Sequence, residues 1–133
     1  MGQNLLVNEQ IEAGEKFAGE FNDYAPVSVY FWLNPAESDR LYLYIASDAI
    51  DDTNFDAGYG EVLRKVGKLN QWLDPFQIKL VNASDSVAKA AFQIRERFPG
   101  SLSGTHYRGA LLGDVGIDYA YIYPQLTKAN AIP

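Results

Sequence analysis

The chain has no cysteine, one histidine, one methionine and no apolar run of the ~20 residues that a membrane span requires. Without cysteine there is no disulfide, no thiolate metal site and no thiol nucleophile, so the fold must be held by packing alone. Between Met1 and Val7 the only apolar run is Leu5, Leu6 and Val7. It is too short for a secretory signal core and has no basic lead, which sets the expectation of a soluble cytoplasmic protein with no membrane partner. Bases are also scarce, with 11 Lys and Arg against 17 Asp and Glu, a formal charge of -6. The deficit is uneven: residues 1–67 carry 12 acids and 4 bases, whereas residues 68–133 carry 5 acids and 7 bases. Lys and Arg supply most of the affinity for phosphate backbones, so nucleic acid is not an expected partner, and a basic protein is accommodated more easily. At 133 residues, 47% hydrophobic and 21% charged, the chain reads as one globular domain over 1–133, with 124–133 expected as a flexible tail.

Periodicity supplies the elements. Ile11, Phe17, Ala18 and Phe21 recur at helical spacing over Asn8 to Asn22, with Asn8 as N-cap and Glu9 and Glu12 in the first turn. Pro26 precedes a strand from Val27 to Leu33. The loop residues Asn34, Pro35, Ser38 and Asp39 lead to a second strand from Arg40 to Ser47, which makes a hairpin. Tyr59, Val62, Leu63, Val66 and Leu69 mark a second helix opened by Thr53 and Asp56 as a capping box and stopped by Asn70. Phe76, Ile78 and Leu80 form a third strand. Ser84 caps a helix carrying Val87, Ala91, Ile94 and Phe98 that ends at Pro99 and Gly100. Tyr107 to Leu112 and Asp118 to Tyr123 complete the set. The expected fold is α+β, in the order α-β-β-α-β-α-β-β, with one mixed or mainly antiparallel sheet of about five strands and the helices packed on one face.

Alternation within the strands sorts residues into two faces. Val27, Val29, Phe31, Leu33, Leu41, Leu43, Ile45, Ala120 and Ile122 make an aliphatic face expected to be the core. Tyr30, Trp32, Tyr42, Tyr44, Tyr119, Tyr121 and Tyr123 make an aromatic face expected to lie open, where it would meet a ligand, a partner protein or a second copy of the chain; the alternatives are cross-strand aromatic pairing alone and a helix that covers this face as well, making three layers.

Motifs for chemistry are weak. Within the polar cluster from Asp48 to Asp56, Asp52, Asn54 and Asp56 occupy the first three ligand positions of a calcium loop, but Ala57 stands where glycine belongs and Leu63 where the bidentate glutamate belongs, so no metal is expected and Asp51 to Asp56 read as a strand-to-helix loop capped by Thr53 and Asp56. Gly58 and Gly60 begin a dinucleotide pattern that fails at Leu63. His106 lies beside Ser101, Ser103, Thr105 and Tyr107 without a nucleophile elbow. Arg95, Arg97, Arg108 and Lys89, with Arg64, Lys65 and Lys68, read as solvated helix faces. No cofactor and no catalytic residue are expected.

The Val27 to Ser47 stretch, with its Phe31-Trp32 strand, NPAESDR loop and LYLYIAS strand, resembles small bacterial single-domain proteins without an assigned activity, and the similarity extends to Asp118 to Tyr123. This resemblance implies a bacterial source and a compact domain and transfers no site residue. The leading expectation is a non-catalytic interaction module that self-associates, as a homodimer, or binds a protein partner through the tyrosine face. Its alternatives are an acidic immunity- or antitoxin-like inhibitor of a basic protein, and a small-ligand-binding domain using the tyrosines with Asp48, Arg108 or His106.

Overall fold

A computed structural model describes residues 7–69, 73–97 and 104–126. The expected helix stops at Asn70 and at Pro99 and Gly100, the contribution of Phe98 and the tail beyond 126 lie outside these residues. Three helices and one mixed sheet follow in the expected order: α1 (Asn8–Tyr24), β1 (Val29–Pro35), β2 (Tyr42–Ser47), α2 (Phe55–Leu69), β3 (Ile78–Asn82), α3 (Ser86–Glu96), β4 (Thr105–Tyr107), β5 (Leu111–Leu112) and β6 (Val115–Ile122). A single 3-10 turn, Pro75–Gln77, leads into β3 and displaces its start from the expected Phe76. The strand expected over Tyr107 to Leu112 is two short ones, β4 and β5, each pairing with β6.

Strand order is β3-β2-β1-β6-β4. All neighbours are antiparallel except β2 and β3, which run parallel and are joined by α2 as a crossover. Local chemistry accounts for several boundaries. The backbone N–H of Val7 donates to the Gln10 side chain, so the cap of α1 falls one residue before Asn8. Asp85, rather than Ser84, caps α3 by accepting from the Val87 N–H. Buried Asn34 donates to the carbonyls of Ser38 and Arg40 and so ties down the β1–β2 loop. Gly113, at φ 64, approaches the Ser86 carbonyl so closely that a Cβ there would sit 2.7 Å from it, which seats the β5–β6 turn against the start of α3.

The helices do not share one face, contrary to the expectation. The apolar residues of α1 and α2, among them Phe17, Phe21, Val62 and Val66, pack with Tyr30, Trp32, Leu43, Ile45, Ile78, Leu80, Tyr119, Tyr121 and Tyr123. Val87, Ala88, Ala91 and Ile94 of α3 pack on the opposite side with Val29, Phe31, Leu33, Ala46, Ile117, Ala120 and Ile122. Both sheet faces carry apolar residues, so each requires a helical layer. On its side α3 lies over β1 and β6, which leaves β2 and β3 less covered there. Gly58, inside α2, permits close approach to the sheet: a Cβ would stand 2.9 Å from Leu80 and 3.2 Å from Ile50. Leu126, in the expected tail, packs against the α1-side core. Among the described residues no helix is long and apolar enough to cross a membrane.

Candidate functional site

The seven aromatics expected on one open face divide between two. Tyr30 pairs with Ile45 and Trp32 with Leu43, whereas Phe31 pairs with Tyr44 and Leu33 with Tyr42. Tyr42 and Tyr44 therefore lie on the α3 side, and Leu43 and Ile45 join the aromatics on the α1 side. The remaining five are closed in beneath the helices rather than open: Trp32 is 0% exposed, Tyr30 and Tyr123 2%, Tyr119 8% and Tyr121 9%. Tyr30 stacks on Tyr123 at 4.3 Å between ring centroids, and Tyr121 meets Tyr123 edge-on at 5.1 Å.

The polar atoms of Trp32 and Tyr123 are satisfied internally. The Trp32 indole N–H donates to the Tyr123 hydroxyl at 2.9 Å, and that hydroxyl donates to the Ile11 carbonyl of α1 at 2.6 Å. Gly14 of α1 makes room, since a Cβ there would overlap the Tyr123 hydroxyl. Burial pushes the phenols of Tyr30 and Tyr123 well above the ordinary tyrosine range, and those of Tyr119 and Tyr121 upward to a lesser degree. A phenol held neutral and hydrogen-bonded beneath a helix serves packing.

His106, exposed on β4, is engaged by the same cluster. Its Nδ1 stands 2.7 Å from the Tyr119 hydroxyl, its ring meets the edge of Tyr121 at 5.0 Å, and the Arg108 guanidinium lies 5.1 Å over the Tyr119 ring. The structure thus brings His106, Arg108, Tyr119 and Tyr121 together, away from Asp48. In the Asp48 to Asp56 loop, the Asp51 carboxylate accepts from the N–H and hydroxyl of Thr53, and the Asn54 side chain binds Asp51 N–H and the Ala49 carbonyl. These bonds, that from the Thr53 hydroxyl foremost, hold the Asp51 carboxyl below its usual range. Of the residues expected to cap α2 or to bind calcium, Thr53 and Asn54 turn their side chains back on their own loop. Among the described residues no group of three or more His, Asp or Glu is placed to hold a metal ion.

What periodicity does not point to is a cleft of about 360 Å³ at one end of the sheet, lined by Ser28, Val29, Asp48, Ala83, Lys89, Phe92 and Gln93. Asp48 follows the carboxyl end of β2 and Ala83 that of β3, the one parallel pair among the described residues. From these adjacent ends the chain departs to opposite faces, through α2 on the α1 side and α3 on the other. Such a divergence opens a crevice outside the strand ends, the place where open α/β sheets bind ligands.

The wall from α3 is braced. Buried Arg95 donates from Nη1 to the Ser28 carbonyl at 2.8 Å, pairs with Glu96 at 3.2 Å and lies 4.7 Å over the Phe92 ring. One guanidinium joins the two sides of the cleft and backs its aromatic surface. Phe92 remains 42% exposed. Lys89 and Gln93, one turn apart, share its helix face. Neither Asp48 nor Lys89 forms an ion pair with another described residue.

At the opposite end of the sheet a second, more polar groove of about 390 Å³ is lined by Gln10, Asp39, Arg40, Leu41, Tyr42, Asp74, Phe76 and Gln77. Phe76 is 87% exposed there, on a turn held by Asp74 and by the bond from Gln77 to the Leu41 carbonyl. Between groove and cleft run Tyr42, Tyr44 and Val81, all half-buried, with Lys79 4.9 Å over the Tyr42 ring.

A scan against protein-family models, a search of the curated proteins and a search of the solved structures each find no match to this chain. The resemblance of Val27 to Ser47 to small bacterial proteins gains no support from these comparisons.

Proposed function

We propose that this chain is a non-catalytic ligand-binding domain whose site is the cleft at the carboxyl ends of β2 and β3. The supporting observation is the divergence of α2 and α3 to opposite faces at Asp48 and Ala83, which leaves a concave, partly apolar site framed by a few polar groups. That combination is the usual make-up of a small-molecule site. At about 360 Å³ the cleft lies near the lower end of the ~300–1,000 Å³ typical of ligand pockets, which favours a small molecule over a dinucleotide. Its two charged residues, Asp48 and Lys89, suit recognition.

The test is amide chemical-shift mapping of a fragment library on the labelled protein. Shifts clustered at Ser28, Asp48, Ala83, Lys89 and Gln93, and lost in Ala83→Trp, are the expected result. Clustering around His106 and Tyr119 instead would overturn the reading.

A second reading, a protein partner or second copy bound along β2 and β3, is favoured by the exposure of Phe76 at 87% beside half-buried Tyr42 and Tyr44. It keeps two of the aromatics expected at an interface and moves the surface to the α3 side. A wild-type dimer that becomes a folded monomer in Tyr42→Ser, Tyr44→Ser supports it. A mass independent of concentration and unchanged by the substitutions removes self-association.

A further inference from the structure

We infer that the cleft selects a small zwitterion with an apolar body: an α-amino acid with a hydrophobic side chain, or a compound carrying the same ammonium, carboxylate and apolar group. This rests on the reading of the cleft as the binding site. The walls carry opposite charges. Asp48 lies on the sheet side, after β2, while Lys89 and Gln93 project from successive turns of α3. Neither has an ion-pair partner among the described residues, so both are open to a ligand. The remaining lining is mostly apolar, made by Phe92, Val29 and Ala83, with Ser28 as an added polar residue. A carboxylate matches Lys89 and the Gln93 amide, an ammonium matches Asp48, and a hydrocarbon side chain matches the Phe92 ring.

The same features disfavour other ligand classes. A phosphate usually binds the free N–H groups of a helix start. Here α3 begins beside the cleft, but the Val87 N–H is already taken by Asp85, so an incoming phosphate meets a carboxylate. Asp48, Asp51, Asp52 and Asp85 crowd this end of the sheet and repel polyanions. A purely apolar ligand would strip water from Asp48 and Lys89 without replacing it, which costs affinity. A zwitterion compensates both.

The experiment titrates L-phenylalanine, 2-phenylethylamine and 3-phenylpropanoate into the wild type, Asp48→Asn and Lys89→Gln, following both heat and amide shifts. Hydrogen bonds to charged groups are worth roughly tenfold or more in affinity, so the wild type should bind L-phenylalanine at least about tenfold tighter than either truncated probe. Asp48→Asn should erase the preference over 3-phenylpropanoate and leave 3-phenylpropanoate binding no weaker. Lys89→Gln should erase the preference over 2-phenylethylamine. If the amine or the acid alone binds as tightly as L-phenylalanine with shifts at the cleft, the ligand class is wrong and the site stands. If no probe shifts the cleft while library fragments do, the ligand class again fails alone. If neither probes nor fragments reach the cleft, both readings fail.

Discussion

The indole N–H of Trp32 donates to the hydroxyl of Tyr123 across 91 residues of sequence, and the same hydroxyl bonds to the Ile11 carbonyl, so one phenol oxygen joins β1, the end of β6 and α1. Both rings are buried. Tyr123→Phe keeps the ring and removes the oxygen, leaving the Trp32 N–H without its acceptor. A buried donor left unpaired costs about 1–3 kcal/mol, so urea unfolding should show a loss of that size with the fold retained.

Gly14 faces that oxygen. A Cβ added there would stand 3.0 Å from the Trp32 indole nitrogen and closer still to the Tyr123 hydroxyl, whereas one at Gly19 of the same helix meets nothing within 4 Å. Overpacking of this kind costs about 1–3 kcal/mol, while replacing glycine by alanine in an open helical position gains up to about 1 kcal/mol. Gly14→Ala should therefore lower the unfolding midpoint and Gly19→Ala raise it.

Alkaline pH should unfold the protein. Burial raises the Tyr30 and Tyr123 phenols above their unfolded value, so the folded state holds those protons more tightly. The stability they contribute is complete below the unfolded tyrosine pKa of about 10 and is lost as pH rises above it. Urea midpoints should fall steadily above about pH 10, with a fraction of the tyrosinate absorbance appearing only on unfolding. Stability flat across that range would contradict the burial of these hydroxyls.

Arg95 should matter to stability and binding together. Arg95→Met retains much of the side chain's volume but removes the bond to the Ser28 carbonyl and the stacking on Phe92. A loss of about 1–3 kcal/mol is expected in denaturant unfolding, because the hydrogen bond comes from a charged group. Weaker fragment binding in the cleft should accompany it.

Much of the fold is legible in the sequence because each element carries its own period. The 3.6-residue recurrence of Phe17, Ala18 and Phe21, or of Val62 and Val66, and the alternation in Tyr30–Leu33 and Tyr42–Ile45 require no partner to be read. Register does not have that property. Placing Tyr42 on the face of Trp32 rests on alternation within each strand and assumes the register between them. In the structure the loop tied by Asn34 sets Leu43 opposite Trp32, and that shift moves both β2 tyrosines to the other face.

The helical layers follow from the same point. Once each face of the sheet carries apolar residues, each must be covered, and the tyrosine cluster becomes core beneath α1. The cleft was legible only in part. In the sequence Asp48 reads as one of a polar cluster and Lys89 as part of a solvated helix face, and the topology that brings them to one crevice depends on α2 and α3 leaving parallel neighbours in opposite directions. His106 and Arg108 do sit with tyrosines, Tyr119 and Tyr121, as the chemistry of those residues suggests, although remote from Asp48.

The most direct measurement is a filtered nuclear Overhauser spectrum of the labelled protein with bound L-phenylalanine. Contacts from the ligand ring to the methyl groups of Val29 and Ala83 and to the ring of Phe92 are the predicted result. Contacts to Tyr119 and Tyr121 in their place would show that the ligand seeks the tyrosine cluster and would contradict the assignment of the site to the carboxyl ends of β2 and β3.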